Sequence, residues 1–298
     1  MLSGEGHAAD WKDAAAYAPL LQVGRAGFAW EWLRRDECYR AAAARAFGSL
    51  EPSCPEQARA ADSLASTWGL HAFERPGRNA VLARPMWRRE IFPYVLEAAA
   101  ADEGDDEDRL DLDRLKNFVT LIADPSGSEH LLLSNGLQAV RVDIVSGTLR
   151  SGPVRLRYRL EGFRVLNKPL LALYQLVALS RTGRFSPMLH PRERRARRWV
   201  LLLRTYDALI AGASQREIAE SLLGLNVAEE RWRVTAGSVR SRAQRLVREA
   251  RIMAAGGYLS LLSGADRSSL SPPGQCWAGA VTGATARGSG PLGIQRAP

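Results

Sequence analysis

Gly212-Ala213-Ser214-Gln215-Arg216-Glu217-Ile218-Ala219-Glu220-Ser221-Leu222-Leu223-Gly224 is the stretch whose reading settles the architecture. Ser214 is an N-cap, and Glu217, three residues on, is its capping-box partner. Ile218, Ala219, Leu222 and Leu223 form a buried stripe at helical spacing. The small Ala219 lets a following helix cross closely. A Ser-Gln-Arg-Glu-Ile-Ala-Glu helix of this kind is what the first helix of a helix-turn-helix looks like.

A long polar connection, Leu225 to Thr235, leads to a second capped helix. At about 100° per residue from Val239, the side chains of Val239, Ala243, Leu246, Ala250 and Met253 fall within about 60° of one direction. Ser241, Gln244, Arg245 and Arg248 point the opposite way, with Arg240 and Arg251 flanking. An apolar stripe backed by Ser, Gln and Arg suits a recognition helix. Arginine can fork onto guanine O6 and N7, glutamine can bond adenine, and flanking arginines can meet phosphates. The usual turn has about 3–4 residues, whereas about eleven intervene here, so the crossing angle stays open. Arg231, Trp232 and Arg233 within that turn either contact backbone phosphate or simply pack.

Working upstream, Pro191 suits the first turn of another helix, with Trp199, Leu202, Leu203, Tyr206, Leu209 and Ile210 on one face. Arg192, Arg194, Arg195, Arg197 and Arg198 crowd its opening turns. Cations there oppose the helix macrodipole, so a phosphate partner explains them better than helix stability does. An earlier helix is expected from Lys168-Pro169 to about Arg181, ended by Gly183. Its apolar run, Leu170 to Leu179, is broken by Gln175 and is about half of the ~20 residues that a membrane span needs.

Before these helices the period is two. Leu131-Leu132-Leu133, a turn at Ser134-Asn135-Gly136, and Ala139 to Val145 make a hairpin signal. Val154 to Leu160 then alternates strictly, with Arg155, Arg157 and Arg159 on one face and Leu156, Tyr158 and Leu160 on the other. Three short strands in a small antiparallel meander are the economical reading. Asp111 to Ala123 reads equally as helix or strand.

The charge is segregated. The chain has 298 residues, with 41 basic and 32 acidic side chains for a net +9. Residues 1–96 carry net +1, 97–113 net −8, 114–149 net 0, 150–251 net +14 and 252–298 net +2. Arginine supplies 38 of the basic residues, a coding bias of GC-rich genomes in part. The bias does not explain the single basic block, which points to a polyanionic partner, with nucleic acid leading.

In the N-terminal part, Asp10 opens a helix-like stretch with Asp13 at capping-box spacing, limited by Pro19. Phe28 to Asp36 is a second short helix, and Asp36 caps a third through Tyr39 and Ala41–Ala46. Trp11, Trp30 and Trp32 suggest a small aromatic core, the alternative being an exposed Trp that binds a partner. Pro52 to Pro93, with Trp68-Gly69-Leu70 and Trp87 as apolar anchors, reads as an ordered but irregular arm or as a set of short strands. Ala98 to Asp113 reads as an acidic linker or solvated helix face, or as an acidic surface that contacts the basic block. Residues 263–298 are rich in Gly, Ser, Pro and Ala, as a disordered tail is, and Trp277 there stands apart.

Other chemistries lack their residues. There is no Gly-rich loop with Lys-Ser/Thr, no His-Glu-x-x-His and no paired Cys-x-x-Cys. Cys38, Cys54 and Cys276 are too scattered for a disulfide framework. Asp124, Ser128 and His130 lie close in sequence, but a triad is a spatial arrangement, and they read as loop residues. No enzyme, cofactor or metal site is expected. No signal peptide is evident at Met1 to His7, so the expected location is the cytoplasm.

Gly152 to Gly162, Ser214 to Leu223 and Ser238 to Tyr258 resemble an uncharacterised-domain family of proteobacteria, an extended-turn variant of the helix-turn-helix. Its members include transcriptional activators of integrative and conjugative element transfer and shorter antiactivators. Asp10-Trp11, Trp30 to Asp36 and Trp68-Gly69-Leu70 are similar to the transcriptional-regulator-like domain that precedes it in the activators. The resemblance covers about residues 10–262. It implies DNA binding through the basic face, docking of the opposite face on the N-terminal domain, and inhibition by an antiactivator that competes for that docking surface. The net +14 block fits an activator better than an antiactivator, whose equivalent domain is expected to be acidic.

The expectation is a mainly α protein with a small β meander (α+β). Its parts are a helical regulator-like domain with an arm at 1–96, an acidic linker at 97–113, a meander plus helix-turn-helix at 114–262, and a tail at 263–298. Promoter DNA would meet Ser214, Gln215, Arg216, Ser238, Arg240, Ser241, Gln244, Arg245 and Arg248, with Arg194, Arg195 and Arg198. Other expected partners are an antiactivator at the N-terminal domain and RNA polymerase, with no membrane. The competing expectation is a protein-interaction module that regulates a partner activator without reading DNA.

Overall fold

The computed structural model describes residues 10–48, 63–101, 108–224 and 237–263. The turn residues Arg231, Trp232 and Arg233, most of the expected tail with Trp277, and the acidic run at 102–107 lie outside the described residues.

Three helices open the fold. Asp13 caps α1 (Ala14–Tyr17) by accepting from the Ala15 amide, and a 3-10 turn through Pro19 ends it. α2 (Arg25–Leu33) follows, and Asp36 accepts from the Tyr39 amide at 3.0 Å to start α3 (Glu37–Gly48). Trp30 and Trp32 are buried as expected, but Trp11 sits in a separate apolar cluster with Ala208, Ile218 and Val247. The arm from residue 63 is ordered by hydrogen bonds more than by regular elements: Leu70 bridges Trp87, and the Trp30 and Trp87 indoles donate to the Arg78 and Ala26 carbonyls.

The strands form one six-stranded sheet. They are β1 (Val95–Ala101), β2 (Arg109–Leu110), β3 (Val119–Ala123), β4 (Glu129–Ser134), β5 (Ala139–Ser146) and β6 (Val154–Arg159). Their order is β2-β6-β1-β5-β4-β3. The β4–β5 hairpin forms around Asn135-Gly136, with Ser134 opposite Ala139.

The meander is corrected, because β1 lies between β5 and β6, parallel to one and antiparallel to the other. The acidic linker is corrected for the same reason, since its first residues, Glu97 to Ala101, are in the centre of the sheet. Alanine and acid have low strand propensity, so the local sequence argues against β1. Pairing on both edges, burial of Leu96 and Ala98, and an ion pair from Glu97 to Arg89 outweigh that preference.

The sheet is covered on both faces, which is why every residue of β4 is buried. One face (Leu131, Leu133, Val140, Val142 and Ile144) packs on Ala172, Leu176 and Leu179 of α4 (Asn167–Thr182). α4 ends at Gly183, as expected, with φ +64°. The other face carries His130, Arg141 and Asp143, which meet the arm.

Three further helices pack on one another: α5 (Ala196–Ile210), α6 (Gln215–Leu223) and α7 (Gly237–Ile252); α8 (Leu259–Ser263) then packs on α2. α5 begins at Ala196 rather than at Pro191, so Arg192, Arg194 and Arg195 precede it. Ile210 is exposed, because the helix ends there and Gly212, at φ +79°, turns the chain away.

The expected boundary at residue 96 is not a boundary of packing. One core joins Phe28, Trp30 and Trp32 to Trp199, Tyr206, Leu246, Ala250 and Met253. Phe28 meets Trp199 edge-on at 5.0 Å, and Trp32 meets Tyr206 at 5.6 Å. α7 packs its apolar face on α5 and α6, and the helix group as a whole is joined to the N-terminal helices of its own chain through α5, the Met253–Gly257 turn and α8.

Candidate nucleic-acid interface

The helix α6 starts where its capping box places it. The Ser214 amide donates to Glu217 Oε2 at 2.8 Å and the Glu217 amide to Ser214 Oγ at 3.2 Å. These bonds hold the Glu217 carboxyl below its usual range. Ile218 and Ala219 are fully buried, so α6 presents Ser214 and Gln215 outward, with Arg216 half-exposed and 3.7 Å from Glu220.

On α7 the division into faces is the one the helical wheel gives. Ala243, Leu246, Ala250 and Met253 are buried, while Ser238, Arg240, Ser241, Gln244, Arg245 and Arg248 are exposed. Val247 is buried too, against Ala208 and Ile218 on the side facing α5 and α6. Arg194, Arg195 and Arg198 are exposed near the start of α5.

Two of these residues come together around one cleft. A cavity of about 260 Å³ opens between α5, α6 and α7, lined by Arg198, Arg242, Arg245 and Glu249 over Leu223 and Leu246. Arg198 Nη2 lies 2.7 Å from Glu249 Oε2, with both side chains about two-fifths exposed. Three guanidinium groups against one carboxylate leave a net positive mouth of a size to admit a phosphate oxygen. Sequence reasoning missed Arg242: on the helical wheel it sits beside the apolar stripe rather than opposite it. Only the neighbouring Arg198, far away in sequence, brings it into a site. Arg194, Arg195, Ser214, Gln215 and Arg216 do not line this cleft.

The one grouping among the described residues that could offer metal ligands is His71, His130 and Asp143, whose ligand atoms lie within 4.8 Å of one another. Its geometry suits an ion-pair joint better. Arg141 Nη2 is 2.9 Å from Asp143 Oδ1, and His130 Nδ1 is 2.8 Å from the same oxygen. His130 Nε2 faces Asp124 Oδ2 at 3.4 Å, and the His71 and His130 rings stack. The hydrogen bond from His130 and the charge of Arg141 outweigh burial and hold the Asp143 carboxyl below its usual range. A cation already stands where a divalent ion would need an undivided carboxylate. Asp124 and Ser128 belong to the turn before β4, where Asp124 Oδ1 accepts from the Ser126 and Ser128 amides.

Among the described residues, no helix is long and apolar enough to cross a membrane.

An arginine-bordered helix group is thus joined to a tryptophan-rich helical body through a common core. Residues 163–263 match the family model described as "T6SS, Transcription factor, DNA binding domain", and residues 10–71 match that of a proteobacterial transcriptional regulator-like domain. No curated protein matches the chain. The two matches support a transcriptional regulator with a DNA-binding domain. The match at 163–263 begins just after the sheet and takes in α4 to α8.

Proposed function

We propose that this chain is a sequence-specific transcriptional activator in which α6 and α7 act as an extended-turn helix-turn-helix. The target would be a promoter of excision or conjugative-transfer genes of a mobile element. The observation that carries the reading is the cleft where Arg198, Arg242 and Arg245 meet, next to the exposed Arg240, Ser241, Gln244 and Arg248. In this reading the cleft grips backbone phosphate and fixes register, while Gln244 and Arg248 reach base edges. Ser214, Gln215 and Arg216 at the start of α6 contact the flanking backbone, since helix N-termini favour anions.

The core that joins the helix group to the N-terminal helices belongs to the same proposal, because it leaves the basic side of α7 free. An antiactivator that competes for that docking surface would have to displace the N-terminal helices. RNA polymerase would be met by the N-terminal body, and the cytoplasm is the compartment in which such a protein works.

The test is footprinting of the full chain on regions upstream of excision and transfer genes, with type VI secretion promoters as the parallel arm suggested by the matching family's description. A protected site that is lost in Arg245→Ala supports the reading. Protection of type VI promoters alone moves the target. Protection nowhere, with binding only to a partner protein, overturns it in favour of an interaction module.

A further inference from the structure

We infer that the cavity between the helical body and the sheet is a binding site for a small amphipathic carboxylate, and that its occupancy is passed to the arginines before α5. The cavity is about 380 Å³, inside the range of small-molecule sites, which favour the seams between packed units. Its walls come from the α2 start, the arm, the β4–β5 hairpin, α4 and the segment before α5. Most of that wall is apolar, with Val23, Trp87, Phe92, Leu132 and Leu171 facing the space.

The polar part of the wall selects the ligand's head group. Its charged side chains are Arg25, Arg141 and Glu193; Glu193 pairs with Arg25, and Asp143, just behind the wall, pairs with Arg141. Arg141 is buried, and its two terminal nitrogens bond the Leu131 and Trp87 carbonyls and Asp143. Its Nε is buried with no hydrogen-bond partner among the described residues. A buried guanidinium donor without an acceptor is a costly arrangement that a bound acceptor relieves. A carboxylate supplies that acceptor and can share Arg25 at the edge of the cavity, and an apolar body fills the rest.

Glu193 supplies the link to the arginines. It stands in the wall and holds Arg25 at 2.8 Å, tying the start of α2 to the segment that bears Arg192, Arg194 and Arg195. A carboxylate in the cavity competes with Glu193 for Arg25 and loosens that tie. The coupling rests on the DNA-binding reading above, whereas the site itself does not.

The test uses the full chain, without DNA first. Octanoate, decanoate, 3-phenylpropionate and indole-3-propionate are titrated by calorimetry and thermal unfolding, each against the amine of matching body. At least one carboxylate is expected to bind with unit stoichiometry and raise the melting temperature, and its amine to do neither. Leu171→Trp, which fills the cavity from the half-buried face of α4, should weaken that binding by about tenfold or more. Arg25→Ala, at a residue already two-fifths exposed, should weaken it while the fold is retained by circular dichroism.

No carboxylate binding at millimolar concentration, equal binding of the amines, or undiminished binding to a folded Leu171→Trp chain each overturns the site. A gel shift at saturating carboxylate then reads the coupling: a changed DNA affinity supports it and an unchanged one overturns it. Failure of the chain to bind any DNA defeats the activator reading and the coupling together, and leaves the site to the calorimetry.

Discussion

Arg35 forks onto Asp207, with Nε 2.7 Å from Oδ1 and Nη2 2.8 Å from Oδ2. One residue belongs to the regulator-like match and the other to the DNA-binding match. Tyr17 donates to Asp207 Oδ2 at 2.6 Å, and Arg35 Nη1 also reaches the Glu31 carboxylate. Glu31 in turn accepts from the Ala80 amide at 2.7 Å. Burial, reinforced by the Asp207 charge, raises the Tyr17 hydroxyl pKa well above its ordinary value. The network is the polar counterpart of the aromatic contacts that join the two regions.

Breaking this pair from one side leaves the other charge buried. Arg35→Ala or Asp207→Ala is expected to cost about 3–5 kcal/mol, read from urea unfolding. The Arg35→Met/Asp207→Leu double variant should recover only part of the loss, because packed apolar residues replace the pair itself at little cost but the buried Glu31 carboxylate and Tyr17 hydroxyl each lose a partner. A loss below about 1 kcal/mol in both single variants, within the range of exposed pairs, would show that the fork is not what joins the regions.

At the proposed interface, positioning and reading residues separate by their salt dependence. Arg198→Ala or Arg242→Ala should weaken binding about equally on all sequences and lower the slope of affinity against salt by about one ion. Gln244→Ala or Arg248→Ala should cost about 1–3 kcal/mol on the specific site and relax specificity at one base pair. Equal effects of all four on specific and random duplexes would place the reading face elsewhere.

Much of this was legible in the sequence, because local rules decided it. The Ser214–Glu217 box, the Asp36 cap, Gly183 and the Asn135-Gly136 turn are satisfied within a few residues, and each stands where it was expected, whereas the first helix is capped by Asp13 rather than opened by Asp10. The wheel of α7 needed only periodicity to sort Leu246 from Arg245. What stayed hidden depends on partners remote in sequence. β1 exists because β5 and β6 flank it, although its own alanines and acids favour other states. The shared core was hidden for the same reason: the stripe of α5 could be read, but not that Trp199 would meet Phe28. The same holds for the site, where Arg242 gains a role only through Arg198.

Stability should fall on mild acidification because of His71. Burial, followed by the charges of His130 and Arg141, holds its pKa at about 3, against about 6.5 in an unfolded chain. As pH drops below about 6.5, the unfolded state takes up the proton first, so the native state loses ground until about pH 3. Between pH 7 and pH 5 the expected loss is up to about 2 kcal/mol. Asp143 and Asp124, held low, act in a more acid window: their contribution is present above about pH 4 and is lost as pH falls through their depressed values. His71→Phe keeps a ring against His130 and should flatten the slope between pH 7 and pH 5 in denaturant midpoints. An unchanged slope would assign it to other groups.

Gly136 tests the seat of the β4–β5 hairpin against the helical body. Its φ is +94°, and a Cβ there would lie 2.2 Å from the Val81 carbonyl oxygen. That carbonyl belongs to the turn after Asn79, which is held from below by the Ala80–Glu31 hydrogen bond, so it has little freedom to retreat. Gly127, in the turn before β4, has a similar φ of +88° but open space where its Cβ would go. The two glycines therefore carry comparable backbone strain and differ in the clash. Gly127→Ala should cost about 1–2 kcal/mol from strain alone. Gly136→Ala should cost about 2 kcal/mol more, as overpacking against fixed backbone does, and should also narrow the cavity beside it. Urea unfolding of the two variants side by side gives the comparison, and equal losses would mean that the hairpin turn and the Val81 turn are not pressed together in solution.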